Sequence, residues 1–284
     1  MSVPLVSIVI ANYNYGRFLD EAIRSVLDQS CGDWELIICD GGSTDNSKEV
    51  IEKYAGRLAW WCSEKDKGQS DAFNKGFAHA KGKFLTWLNA DDVMLPGVVE
   101  KLKSAAEKHP ECEWFTGGSF WCDPEMKILK CNVARPFSEM RYRCGLVNVC
   151  GPSSFFAKAL FDKVGGCDVR FKYTMDTDLW LKFAHQGVRF RVAMDYAYVL
   201  RLHPEAKMSG HNFQNGKLDF DVYNPERDPK HAQLEQEDIW MNEGHHFVPS
   251  TSLRHLASVS WIPVFRGLIA TRRWKGHHYR EMYK

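Results

Sequence analysis

Four times in the first 108 residues, a short apolar run gives way to a segment whose apolar residues recur at helical spacing. Val6–Ala11 (VSIVIA) precedes Arg17–Gln29, in which Phe18, Leu19, Ala22, Ile23, Val26 and Leu27 share a face. Trp34–Cys39 (WELIIC) precedes Asn46–Tyr54, Leu58–Cys62 precedes Ser70–Ala80, and Lys83–Leu88 (KFLTWL) precedes Pro96–Lys108. Runs with so few polar residues suit strands buried on both faces. Repeated β-α units of this length predict an α/β fold, a mostly parallel sheet flanked by helices. Pro96 is expected in the first turn of the fourth helix, where its missing N–H leaves no bond unmade. Asn46 and Glu49 stand at capping-box spacing for the second helix.

Regularity weakens afterwards. Glu113–Phe120 and Ser153–Ala157 read as strands, Asp178–Gln186 as a helix, and Arg189–Met194 and Tyr196–Leu202 as two more strands. Beyond Pro204 the composition changes. Residues 219–243 hold eight acidic residues against Arg227 and Lys230, which predicts a solvated face or a linker. Residues 251–284 reverse the balance, with Arg254, Arg266, Arg272, Arg273, Lys275, Arg280 and Lys284 against Glu281 alone. The division expected is one domain over 1–210, its first half reaching about 120, and a helical appendage over 211–284. His211, His245 and His246 have no evident partner and are expected on the surface.

Composition excludes several functions. Lys and Arg total 37 against 36 for Asp and Glu, so the basic excess of a general nucleic-acid binder is missing. An apolar fraction of 44% with 13% aromatics supports a buried core rather than disorder. No run approaches the roughly 18–20 apolar residues of a membrane-spanning helix. Met1–Pro4 lacks the basic segment of a signal peptide, so a cytosolic location is expected. The nine scattered cysteines include no C-x-x-C pair and read as reduced core thiols, not as a zinc or redox site.

In an open α/β sheet, ligands bind beyond the carboxyl ends of the strands. Those ends read Asn12-Tyr13-Asn14, Asp40-Gly41-Gly42-Ser43-Thr44-Asp45, Glu64 to Asp71, and Asn89-Ala90-Asp91-Asp92. Each alone is ordinary turn chemistry; the four together point to a ligand rim. Asp91 and Asp92 would repel one another unless a cation offsets them. Mg²⁺ or Mn²⁺ suits such oxygen donors and commonly bridges an enzyme to phosphates. A solvated turn with Asp opening the next helix fits the same pair. Asp40 precedes any cap and adjoins two glycines, where a carboxylate can accept from a base N–H or a ribose hydroxyl. The segment is not G-x-G-x-x-G and follows the second strand, which argues against a nicotinamide-type pyrophosphate loop; the P-loop signature is absent as well.

Together these strings resemble family 2 glycosyltransferases with the GT-A fold, over about residues 5 to 210. SIVIANYN (7–14) resembles the family's opening strand, and CDGGSTDNS (39–47) its D-D/G-G-S-T-D turn. EKDKGQSDAFNKGFAHAKGKFLTWLNADD (64–92) is similar to the segment leading into the D-x-D motif. VGGCDVRFKYTMDTDLWLKFAHQG (164–187) resembles the acceptor-side G-G-F-D…D-x-D-L-W-L-R stretch, and LRLHPEAKMSG (200–210) the closing R-x-H-x-x-x-K-x-S segment. The resemblance implies transfer of a sugar from a nucleoside-diphosphate sugar, a UDP-sugar first, to a hydroxyl of a glycan or lipid-linked acceptor. By the same resemblance Asn12, Asn14, Asp40, Asp71, Asn74 and Asp92 would hold the nucleoside. Asp91 and Asp92, with His203 as a further ligand, would meet Mn²⁺ or Mg²⁺. Arg201, His203 and Lys207 would close over the diphosphate, and Asp176 matches the family's catalytic base. Asn89 replaces the first Asp of D-x-D, Met175 the Glu before the base, Cys167 the aromatic after G-G, and Phe73 an Arg near the donor.

The chemistry is coherent with these residues. A cation offsets charge gathering on the departing diphosphate, and Asp176 takes the proton of the attacking hydroxyl. Burial beside Trp180 would raise its pKa toward the useful range, and direct attack predicts inversion. For Asp176 and Asp178, helix-start acids complementing the macrodipole are the plain alternative. A nucleotide-sugar-binding protein without catalysis and a sugar nucleotidyltransferase are the competing functions; the second would want a basic glycine loop after strand one. In residues 252–284, apolar positions such as Leu253, Leu256, Trp261 and Phe265 lie between arginines. That stretch could lie on an anionic membrane face, or pack on the catalytic domain or on a second subunit as a homodimer.

Overall fold

The computed structural model describes residues 3–135, 137, 149–207, 213–214, 217–218 and 270–283. β1 (Val6–Asn12), β2 (Trp34–Asp40), β3 (Trp60–Ser63) and β4 (Phe84–Asn89) pair in parallel, in the order β3-β2-β1-β4. Beyond β4 the sheet turns mixed. β8 (Ser154–Ala157) runs antiparallel to β4 and to β6 (Trp114–Cys122), and β9 (Phe190–Arg201) lies parallel to β6. β5 (Val93–Met94) pairs antiparallel with β9, and β7 (Ile128–Asn132) with β6. β10 (Phe213–Gln214) and β11 (Lys217–Leu218) form a separate hairpin.

Alternating side chains send each strand into two cores. On one face α1 (Gly16–Leu27), α2 (Ser47–Tyr54) and α4 (Val98–Lys108) lay Leu19, Ile23, Ile51, Val99 and Leu102 against Ile8, Ile10, Leu36 and Ile38. On the other, α3 (Gln69–His79), α5 (Lys158–Lys163) and α6 (Met175–His185) bring Phe73, Phe77, Phe161 and Phe183 to Val9, Ile37 and Trp87. Each such buried side chain contributes about 1.5–3 kcal/mol. An aromatic stack runs through this second core, with Trp180 5.6 Å from Trp87 and 4.9 Å from Trp114.

Several local expectations are corrected. Pro96 lies outside α4, because Gly97 at φ +70° turns the chain just before it. The first N–H groups of that helix, on Val98 and Val99, are taken by Gln29 Oε1 at 3.1 and 3.4 Å, a cap from a distant segment. Asn46 provides no side-chain cap for α2; Asp45 Oδ1 accepts from Ser47 N at 3.0 Å instead. α6 begins at Met175 rather than at Asp178, so Asp176 sits inside its first turn. The two strands expected over 189–202 are one, β9, with register breaks beside Gly117 and Gly118. β5, β7 and α5 escaped the sequence pattern.

The cysteines are free thiols among the described residues, Cys39, Cys112, Cys122, Cys131 and Cys167 fully buried. No described helix is long and apolar enough to cross a membrane. The acidic window 219–243, the stretch 252–269, and His211, His245 and His246 lie outside the described residues. The end of the basic tail is described: residues 270–283 dock beside β7, with Tyr279 buried among the core residues.

Candidate active site

The parallel register sets the carboxyl ends of β1, β2 and β3 level, with Asn12 beside Asp40 and Asp40 beside Ser63. Asn12 Nδ2 donates to Asp40 Oδ1 at 2.7 Å, and Ser63 Oγ and Ser43 N donate to Oδ2 at 2.6 and 3.0 Å. Ser43 Oγ also donates to Oδ1. Asp40 is thus buried, its oxygens occupied, one layer behind the rim. Asn12 and Gly41 stand on the wall of a cavity of about 680 Å³ that opens over the strand ends. The Asn12 Oδ1 atom is buried without a partner. Asn14, at φ +56°, receives Thr44 N at 2.8 Å and ties the first loop to the second.

The third strand end supplies a carboxylate that motif reading passed over. Asp66 lines the cavity, and a Cβ placed on Gly41 would lie 2.8 Å from its Oδ2. Burial pushes its carboxyl above the usual range. The signal was its position in the loop directly after a strand. Asp71, nearby, receives Lys67 N at 3.1 Å. Asn74 faces another way: its amide exchanges bonds of 2.9 and 2.8 Å with the backbone N and O of Cys167. It clamps the loop before α6 onto α3.

After β4, the two adjacent acids part. Asp92 turns inward, receiving Asn89 Nδ2 at 2.8 Å and Arg201 N at 3.0 Å. Burial, and then the neighbouring Asp91 charge, raise its carboxyl well above normal. Asp91 lines the cavity and meets His203 Nε2 at 3.1 Å. His203 is 2% exposed and meets Glu205 with its other nitrogen at 3.1 Å. Glu205 is held down to about 2, first by Arg17 and then by His203. Asn89, in the place of the motif's first Asp, passes a polar chain along: Lys207 Nζ donates to Gln69 Oε1 at 3.0 Å, and Gln69 Nε2 to Asn89 Oδ1 at 2.8 Å. The Asn89 amide then reaches Asp92. With Asp at 89, two carboxylates would meet at that contact.

Arg201 spends its guanidinium inside the protein, on Asp91 O at 3.0 Å, Pro124 O at 3.3 Å and Glu21 Oε2. Lys207 lines the cavity with its ammonium 5.0 Å from the Tyr173 ring centroid. Asp176 receives Thr177 N at 2.8 Å. Burial raises its carboxyl, and the Lys207 charge works against that rise. The arrangement therefore brings Asn12, Asp91 and Lys207 to one cavity wall and His203 onto Asp91, while Asp176 is not itself on that wall but follows the wall residue Tyr173 in the first turn of α6. Asp40 and Asp92 stand behind that wall, and Asn74 stands apart from it.

The residues fit a divalent cation in part. Asp91 on the cavity wall and the buried His203 behind it place a carboxylate oxygen and an imidazole nitrogen side by side, a usable pair for an ion completed by phosphate oxygens and water. Asp92 does not fit as a direct ligand here, since both its oxygens accept from the protein. No cluster of three or more His, Cys, Asp or Glu side chains with metal-ligand geometry occurs among the described residues.

The chain is 30% identical over 200 residues to an uncharacterized glycosyltransferase of Rickettsia prowazekii (strain Madrid E), covering 68% of this chain and 61% of that protein. It is 30% identical over 206 residues to a Bacillus subtilis (strain 168) protein, EpsE, a glycosyltransferase by name, covering 70% and 74%. A Nostoc glycosyltransferase matches at 43% over 100 residues, but only 31% of its length is spanned. Among solved structures, Staphylococcus aureus TarS 1–349 with UDP superposes with a TM-score of 0.58 at 17% identity, covering 70% of this chain and 61% of that one. A mannosyltransferase of Pyrobaculum calidifontis in complex with GDP-Man and Mn²⁺ superposes at 0.55 and 15%, covering 95% and 88%. These likenesses show the GT-A fold. The pattern described as Glycosyl transferase family 2 matches residues 7–164, more than half of the sequence, and the chain belongs to that family.

Proposed function

We propose that this chain moves a sugar from a nucleoside-diphosphate sugar to an acceptor hydroxyl with inversion at the anomeric carbon. The observation that carries the proposal is the cavity wall itself: Asp91 and Lys207 line it together with Tyr173, and Asp176 follows three residues later in the first turn of α6. Gly41, Asp66 and Asn12 receive the nucleoside, Asp66 accepting from a base N–H with Asp40 bracing Asn12 behind it. Asp71 supports the loop that carries Asp66. Lys207 offsets the diphosphate charge. Asp91 and His203 would hold a divalent cation, Mn²⁺ or Mg²⁺, whose charge would stabilise the leaving diphosphate. Asp176 accepts the proton of the attacking hydroxyl, and its raised pKa brings it closer to neutral working conditions.

A UDP-sugar is the first donor to try, since UDP and UDP-GlcNAc occupy TarS, with GDP-Man in the archaeal mannosyltransferase as the second. The acceptor proposed is a glycan or lipid-linked hydroxyl. For the latter, the arginines of residues 252–269 would rest on anionic lipid. Thermal-shift titration with UDP-, dTDP- and GDP-sugars, with and without Mn²⁺, tests the donor reading. A cation-dependent rise with one base class is expected; no rise with any of them sinks it. Liposome flotation tests the membrane reading, because Arg254→Glu with Arg266→Glu should release the chain from anionic vesicles.

A further inference from the structure

The last described segment is wired to the carboxylate pair. Arg201 joins the two directly: its backbone N–H donates to Asp92 Oδ1 and its Nε to the Asp91 carbonyl, each at 3.0 Å. Its side chain is only 7% exposed, and its guanidinium lies 4.8 Å from the Phe18 ring centroid. A cation so buried needs a counter-charge. Glu21 of α1 supplies it through Oε2, while its other oxygen receives Arg280 Nη2 at 3.0 Å. Glu21 is a fork with one tine on Arg201 and one on the C-terminal segment, 259 positions away.

That segment is fixed independently of the fork. Gly276 N donates to Ile128 O and Ile128 N to His277 O, each at 2.7 Å, and Cys131 N donates to Thr271 Oγ1 at 2.9 Å. Tyr279 is 4% exposed, and its hydroxyl accepts from Arg280 Nε at 3.1 Å. Arg280 itself is 64% exposed, so as an isolated surface pair its contact with Glu21 would be weak. Its effect comes through the orientation of Glu21, whose other oxygen holds a desolvated charge.

We propose that Glu21 and Arg280 are positioning residues for Asp91 and Asp92, so that the C-terminal segment helps to build the active site. The proposal rests on the donor-site reading, and the experiment separates the two. Amide hydrogen exchange is measured on the ligand-free full chain for wild type, Glu21→Gln, Arg280→Ala, Arg280→Lys and Thr271→Val. Glu21→Gln and Arg280→Ala should speed exchange in peptides covering 89–95 and 199–207, with Arg280→Lys nearer wild type. Thr271→Val removes only the tether to Cys131, and should affect 126–132 and 270–283 alone. Nucleoside-diphosphate and Mn²⁺ titrations should then show affinity reduced by about 3- to 30-fold in Glu21→Gln, less in Arg280→Ala, and unchanged in Thr271→Val. Faster exchange confined to 270–283 in Arg280→Ala overturns the wiring, as does Thr271→Val matching Arg280→Ala at 89–95. If wild type binds no nucleotide, the donor reading fails while the exchange pattern still decides this one.

Discussion

At the residue scale, Asp176 sets activity against stability. Burial raises its folded pKa above the unfolded value, so its favourable contribution is complete below the ordinary carboxylate range and is lost as pH rises through the raised value. Near neutrality the ionised carboxylate is therefore a burden on the fold. Asp176→Asn should lower transfer by about 10²–10⁴-fold while donor affinity stays unchanged, and raise stability at neutral pH by about 1 kcal/mol. Its amide oxygen can still receive both Thr177 donors, which now share Oδ1. Calorimetry across pH checks the sign: the gain should vanish in acid. Gly41→Ala is the opposite kind of change. Its methyl would press on the Asp66 carboxylate, and nucleotide affinity should fall at least about tenfold with little effect on unfolding.

At the scale of elements, legibility in the sequence followed the period of the pattern. The four strands and four helices expected in the first 108 residues announce themselves because, the half-buried β3 aside, each buries one stripe or two full faces. β5, two residues long, and α5, six, carry too few residues for any period. β9 reads as two strands because Asp195 interrupts its apolar run, at the point where the register against Gly117 and Gly118 of β6 shifts. Site residues at strand ends were legible for the same reason as the strands. Their partners were not: Gln29 capping α4, Asn74 clamping Cys167 and Glu21 bracing Arg201 are contacts between segments far apart in sequence. Asn74→Ala separates a clamp from a donor contact. It leaves the Cys167 N–H and carbonyl without these bonds, so unfolding should become easier by about 1–3 kcal/mol. Nucleoside-diphosphate affinity, read by calorimetric titration, should not change.

For the molecule as a whole, the sheet joins a parallel half carrying the proposed nucleoside rim to a mixed half that carries Arg201 and packs against α6 with Asp176. The tail closes the second half. Tyr279→Ala should destabilise the fold by about 3–5 kcal/mol, the usual loss for a buried aromatic, measured by denaturant unfolding.

The tryptophan stack beneath α6 gives the mixed half a signature of its own. The Trp180 and Trp87 rings lie 5° from parallel and those of Trp180 and Trp114 27°. Indoles held this close share their electronic transitions, so near-ultraviolet circular dichroism should register the packing around α6, the helix of the proposed proton acceptor Asp176, coming apart. Acid or mild denaturant that loosens this half first would erase that optical band while far-ultraviolet ellipticity persists.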